Sequence, residues 1–384
     1  MRRKDFLKLG GLLTAASMTK ASNFSSTLLP HIKNKEKKVH FLGEGLNLSP
    51  VEYSDILLRM ADEGKIKPDY YSNGGIVEEL EDKFAKIFNK ERAVFFPTGT
   101  LANHVAIRVL SQGSKRAVVQ AESHIYNDSG DCVQNLSNIN LLPLAQDKAQ
   151  FTLSELQEAI NRTESGRVSS PIGIISIESP VRRKLGEIFD FELIKKISEY
   201  AVNHNIRMHM DGARLFVECA TYNRLPSDYS SHFDTIYTSL YKCFNAASGA
   251  VLVGTHKVCD DLYNTRRMFG GGLPNVWPFA AVALNYVDNY IDEYKSAINS
   301  ANLLFDFLNK NSSLKCTPIS NGTNLFWLET LTGDLSIIVE RLLKQNIILR
   351  ELNRGSKKMI IAVNPSLNHI QNDELQKIFL EASK

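Results

Sequence analysis

Short apolar runs with strand character alternate with helical patterns along most of this chain, and that alternation constrains its fold more than any other feature. Strand-like runs fall at residues 93–96, 117–120, 172–178, 207–211, 235–239 and 249–254. Between them, Ile76, Leu80, Phe84 and Ile87 share one helical face, and further helical patterns cover 101–110, 153–160 and 191–204. Strands separated by helices predict an α/β chain with a large, mostly parallel sheet covered by helices. Beyond it, a long helical stretch with one break runs over 279–310. A strand (325–328), a helix (335–345) and a strand (359–363) follow, enough for a small α+β carboxy-terminal domain. The expected division is a leader at 1–35, a large domain at 36–290 and the small domain at 291–384.

Composition removes several classes of function. The chain has 384 residues, 43% of them apolar and 23% charged, which suits a globular protein with a sizeable core. Lys and Arg number 45 against 42 Asp and Glu, so no basic excess points to a nucleic-acid partner. Five widely spaced cysteines (Cys132, Cys219, Cys243, Cys259, Cys316) form no CxxC pair and no metal-ligand spacing. Neither a disulfide framework nor a metal site is expected, and buried cysteines acting as small hydrophobes are.

The amino terminus has a different character. Arg2, Arg3 and Lys4 precede a short apolar stretch at 9–18, and Thr19-Lys20-Ala21 follows as a small-x-small cleavage pattern. The stretch is too short to span a bilayer. Arg2-Arg3-Lys4-Asp5-Phe6-Leu7-Lys8 is similar to a twin-arginine export signal with one extra residue in its spacing, which implies a periplasmic enzyme exported folded. A basic tail on a cytoplasmic protein is the alternative.

Three segments at predicted strand ends carry the chemistry. Thr98-Gly99-Thr100-Leu101-Ala102-Asn103 joins a strand to a helix, where free backbone N–H groups, the helix dipole and two hydroxyls suit a phosphate. His209-Met210-Asp211-Gly212-Ala213-Arg214 ends a strand in a carboxylate, with an arginine three residues on that suits an anionic oxygen. Thr238-Ser239-Leu240-Tyr241-Lys242 runs a strand into a lysine flanked by Tyr241, Cys243 and Phe244. Enclosure of that kind lowers a lysine pKa and favours the free amine.

In this order the segments resemble the threonine-aldolase and β-eliminating-lyase branch of the aspartate-aminotransferase-like enzymes, which use pyridoxal phosphate (PLP). The resemblance covers about residues 66–290 and includes Asp69-Tyr70-Tyr71, Glu122-Ser123-His124-Ile125 and Arg266-Arg267-Met268-Phe269-Gly270-Gly271-Gly272. It implies the PLP-dependent transferase-like fold type I, with Lys242 carrying the cofactor as a Schiff base. It further implies that Asp211 pairs with the pyridine nitrogen, that His124 stacks on the ring, that Thr98, Gly99 and Thr100 serve the phosphate, and that Ser239 binds the cofactor. Arg214 is implied at the ring's phenolic oxygen or the substrate carboxylate. Arg267 is implied at the phosphate of a neighbouring subunit, which calls for a homodimer or homotetramer.

Departures from the family pattern fall on the substrate side. Cys243-Phe244-Asn245-Ala246-Ala247-Ser248-Gly249 replaces the family's Gly-Leu-Gly-Ala-Pro-Val-Gly, and Leu273-Pro274-Asn275 replaces its Met-Arg-Gln. The family histidine expected after Glu178 falls near Val181, beside Arg182 and Arg183. The family's carboxy-terminal arginine is an apolar residue near Ile360, which leaves Arg350 or Arg354 to take its place and Arg182 as a further carboxylate ligand. The implied activity is retro-aldol cleavage of a β-hydroxy-α-amino acid of the threonine or phenylserine type, with His124 as base at the β-hydroxyl. β-Elimination and a catalytically inactive PLP-binding homologue are the alternatives.

Overall fold

Strands buried on both faces account for the near-continuous apolar runs in the sequence. In a computed structural model, which describes residues 38–384, twelve strands are present: β1 (Val39–His40), β2 (Arg92–Phe96), β3 (Arg116–Gln120), β4 (Asn140–Leu144), β5 (Ile174–Glu178), β6 (Arg207–Asp211), β7 (Thr235–Ser239), β8 (Ala250–Gly254), β9 (Leu314–Pro318), β10 (Leu325–Thr330), β11 (Ile347–Ile348) and β12 (Lys358–Ala362). Every residue of β5, β7 and β8 is buried, as expected when helices cover both sides of a sheet.

The large sheet has the order β2-β8-β7-β6-β5-β3-β4. Its pairs β3–β4, β3–β5, β5–β6 and β6–β7 are parallel, whereas β8 runs antiparallel to both β2 and β7. Six strands therefore share one direction, and β2, β3, β5, β6 and β7 deliver their carboxyl ends to one edge. In open α/β sheets that edge is where ligands bind.

The long helical stretch resolves into two helices, Trp277–Val287 and Tyr290–Asn311, with the break at Asp288 and Asn289. The carboxy-terminal sheet has the order β12-β10-β9 and packs through Leu314, Cys316, Phe326, Leu328 and Ile361 onto Leu304, Phe305 and Leu308 of the second helix. Val39 and Phe41 bury in this same core, because β1 pairs in parallel with β11. The first described residues thus join the carboxy-terminal core before the chain crosses to the large sheet. That return depends on a pairing more than 300 residues apart in sequence, which no local pattern specifies. All five cysteines are unpaired, and four of them are buried.

No helix among the described residues is long and apolar enough to cross a membrane. The twin-arginine-like segment lies outside the described residues.

Candidate active site

Parallel pairing places Glu178, Asp211 and Tyr237 side by side on three neighbouring strands, in register at the carboxyl edge of the sheet. Side chains in such a row point to one face. Across from them, β2 turns at Pro97 into the helix Gly99–Leu110, whose N-cap Thr98 accepts a hydrogen bond from the Leu101 N–H at 3.3 Å. The Gly99 and Thr100 N–H groups are left for a ligand at the positive end of that helix. The fit at Gly99 is tight. A Cβ there would lie 2.0 Å from the Tyr237 hydroxyl, so Gly99→Ala is expected to cost at least about 1–3 kcal/mol of stability, read as a lower urea midpoint at an unchanged m-value.

Asp211 is held by a polar chain that crosses the sheet. Asn103 Nδ2 donates to Asp211 Oδ2 at 2.6 Å, and the Ala213 N–H donates to Oδ1 at 3.2 Å. Because Asn103 uses its amide nitrogen on the carboxylate, its Oδ1 accepts from His209 Nε2 at 2.9 Å, and His209 Nδ1 accepts from the Thr235 hydroxyl at 2.8 Å. Complete burial pushes the His209 pKa down to about 4, so the ring stays neutral and its single N–H is committed to Asn103. The chain fixes the direction in which the carboxylate faces.

Lys242 lies beyond β7, where two cavities meet. The smaller, about 290 Å³, is lined by Thr98, Gly99, Thr100, Asn103, His124, Glu178, Asp211, Tyr237 and Lys242, among others. The larger, about 960 Å³, is lined by Glu44, Tyr53, Arg214, Lys242 and Arg350 with several apolar side chains. Tyr241, Lys242 and Ala247 border both. Burial, reinforced by the Arg214 charge, lowers the Lys242 pKa to about 8 against the partial opposition of Asp211 and Glu44. A lysine with that pKa has a substantial free-amine fraction near neutral pH, as a nucleophilic lysine requires. In the apo-protein, the rate of covalent capture of an aldehyde at Lys242 is expected to rise with pH to a plateau with a midpoint near 8. An absorbance-monitored pH series checks this, and an ordinary lysine would show its midpoint above 10.

His124 opens a short helix beside the smaller cavity, and its backbone N–H donates to Glu178 Oε2 at 2.6 Å. The other oxygen of Glu178 accepts from the Arg182 N–H at 2.9 Å. Burial, followed by the neighbouring Asp211 charge, raises the Glu178 pKa. Burial also lowers the His124 pKa, which favours the neutral ring that a base needs.

Of the residues singled out by sequence, Thr98, Gly99, Thr100, His124, Asp211 and Lys242 share the smaller cavity, and Arg214, Arg350 and Lys242 share the larger. Ser239 is fully buried on the Tyr237 face of β7 and lines neither. Arg182 pairs with Asp128 and also lines neither. The Arg267 guanidinium lies over the Tyr71 ring, 4.9 Å from its centroid, outside both cavities of its own chain. Arg354 is engaged by Glu340 at 2.7 Å. Asn103, Glu178, Tyr237 and Glu44 carry the site without having been assigned a role from sequence. Asn103 was within reach, since it sits one helical turn into the phosphate-type motif. Glu44, whose carboxylate accepts from Arg214 Nε, comes from an amino-terminal segment with no motif at all.

The arrangement matches a known family. Residues 61–329, well over half of the chain, match the family model described as Beta-eliminating lyase. The chain belongs to the β-eliminating lyase family. It is 26% identical over 253 residues to a low-specificity L-threonine aldolase of Candida albicans, a match that covers 65% of this chain and 66% of the relative. It is 25% identical to low-specificity L-threonine aldolase 1 of Arabidopsis thaliana, with 73% and 79% covered. Among solved structures, it superposes on a putative L-allo-threonine aldolase of Listeria monocytogenes with a TM-score of 0.73 at 26% identity, covering 90% of this chain and 96% of that one. The expected fold type I is therefore the observed fold.

The cofactor is pyridoxal phosphate, and the site's donors fit it. A helix N-terminus with hydroxyls, an oriented carboxylate and a lysine amine of lowered pKa all line the smaller cavity. The Ser239 hydroxyl is buried with no hydrogen-bond partner other than its approach to Tyr237.

Proposed function

We propose that this member of the β-eliminating lyase family cleaves β-hydroxy-α-amino acids by a retro-aldol reaction, giving glycine and an aldehyde. The observation that carries the reading is Lys242 at the junction of two cavities. One fits the cofactor and contains a neutral histidine; the other is large enough for an amino acid and contains Arg214. The relatives' activity on threonine and allo-threonine supports it.

In this reading Lys242 bonds covalently to the cofactor, Asp211 pairs with its pyridine nitrogen, and Thr98, Gly99, Thr100 and Ser239 hold its phosphate. When bound, the cofactor supplies an electron sink for a bond at the substrate Cα. Arg214 fixes the substrate carboxylate through its terminal nitrogens, which its ion pair with Glu44 leaves free because that bond uses Nε. Arg350, at the rim of the same cavity, adds a second cation for the carboxylate. His124 takes the proton of the β-hydroxyl.

His124→Asn is expected to lower kcat by about 10²–10⁴-fold while the protein retains its cofactor. Because the His124 pKa is lowered, the neutral base persists to lower pH, so the acid limb of kcat/KM should fall below the ordinary histidine value of about 6.5. A pH–rate series checks both. The reaction itself is tested with L-threonine, L-allo-threonine and phenylserine, scored for glycine. Release of ammonia with the matching 2-oxo acid instead (2-oxobutanoate from threonine, phenylpyruvate from phenylserine) would assign β-elimination. Cofactor retained with no product from any amino acid would assign a binding protein.

The active unit is at least a homodimer in this reading, with Arg267 serving the partner's phosphate. The position of Arg267 outside its own chain's cavities supports that role. Mixing Arg267→Ala with Lys242→Ala chains should restore activity, because one mixed site regains both groups. Proven heterodimers without activity would exclude a shared site. The basic and apolar leader supports export of the folded, loaded enzyme. Retention of an Arg2→Lys, Arg3→Lys chain in the cytoplasm, against export of the parent, would test it.

A further inference from the structure

Tyr237 is a large phenol in the wall of the smaller cavity. On β7 it lies in register with Asp211 of β6, and its side chain runs from that carboxylate to the start of the helix Gly99–Leu110. Its hydroxyl ends so close to Gly99 that any Cβ at that position would overlap it. The residue is 2% exposed. Two strand positions further on, the same face of β7 presents the Ser239 hydroxyl, fully buried and with no hydrogen-bond partner besides its approach to the phenol. The Tyr237 hydroxyl thus meets a helix N-terminus that already offers free N–H groups, and the Ser239 hydroxyl approaches it from the same face of the strand. Burial, and then the Asp211 charge, raise the phenol pKa well above its usual value of 10. The group is therefore protonated throughout the working pH range and acts as a donor.

We propose that Tyr237 is a phosphate ligand of this protein, its hydroxyl donating, together with Ser239, to the cofactor's phosphate at the amino end of the Gly99 helix. This rests on the reading of the smaller cavity as the cofactor site and adds to it a donor from the floor of the sheet. The geometry accounts for two features at once. Gly99 is required because the phenol occupies the space of its side chain, and the Ser239 hydroxyl, otherwise orphaned, gains an acceptor. A neutral donor to a phosphate oxygen makes a charge-assisted hydrogen bond, stronger than one between neutral groups.

The test separates the phosphate from the rest of the cofactor. Apo-protein of the parent and of Tyr237→Phe is titrated with PLP and with pyridoxal, which has the same ring and aldehyde but no phosphate, and followed by absorbance. Tyr237→Phe should weaken PLP binding by about tenfold and leave pyridoxal binding unchanged. Ser239→Ala should show a loss of the same selectivity, which keeps the question answerable if one variant folds poorly. Equal PLP affinity in Tyr237→Phe and the parent would overturn the proposal, since the phenol would then only fill space beside Gly99. An equal loss for both ligands would also overturn it, placing the hydroxyl's effect on the ring or on Lys242. If neither ligand binds the parent, the cavity reading itself fails, an outcome distinct from either of these.

Discussion

Lys242→Ala is expected to leave the fold in place and to lower turnover by on the order of 10⁴-fold or more, because among the described residues no other amine borders both cavities. The lysine spans the boundary between the space that fits the cofactor and the space that fits the amino acid, so no neighbour can take over its role. Borohydride reduction of the loaded parent, followed by peptide mapping, should place the covalent label on Lys242 and nowhere else. In Lys242→Ala the label should be absent while far-ultraviolet circular dichroism matches the parent. A label on any other lysine would overturn the assignment. The environment that lowers the pKa of Lys242 to about 8 also keeps the loss selective, since exposed lysines remain largely protonated at neutral pH.

Asp211→Asn should lower kcat by about 10²-fold or more with the cofactor still attached to Lys242. The substitution preserves shape, and the carbonyl oxygen of the new amide can still accept from Asn103 Nδ2. What it removes is the charge, together with the oxygen that accepts from the Ala213 N–H. An amide does not hold a pyridine nitrogen protonated, so the electron sink at the substrate Cα weakens although the architecture stands. The chain from Thr235 through His209 and Asn103 accounts for why orientation and charge separate so cleanly here: it delivers donors, and all of them remain. Stopped-flow spectra with steady-state kinetics give the answer, and near-parental turnover would remove Asp211 from the mechanism.

The chain's own sequence determined the strands of the large sheet and the chemistry at their ends. Strands buried on both faces read as short runs rich in apolar and β-branched residues, and β6 and β7 fall where the sequence placed them, at 207–211 and 235–239. Chemical groups that follow directly on such strands are placed by local geometry. Asp211 and Lys242 could therefore be read in order, and the Thr98-Gly99-Thr100 turn with them. Weaker patterns were not legible. β4 has only one buried residue in the run Asn140–Leu144, and β9 alternates too briefly to distinguish from a loop.

Tertiary structure alone decided how those groups meet. The strand order that sets Glu178, Asp211 and Tyr237 in a row depends on pairings between residues 26 and 33 positions apart. Asn103 reaches Asp211 across 108 positions, and Glu44 reaches Arg214 across 170. Such contacts are selected by the packing of whole elements, because each buried polar group must find its partner wherever the fold brings one. A periodicity records which face of its own element a residue occupies and is silent about the neighbour opposite. For that reason Lys242 could be placed in an enclosed setting just past a strand from the residues on either side of it. The phenol of Tyr237 acquires a role only once β7 is laid against β6 and beneath the Gly99 helix.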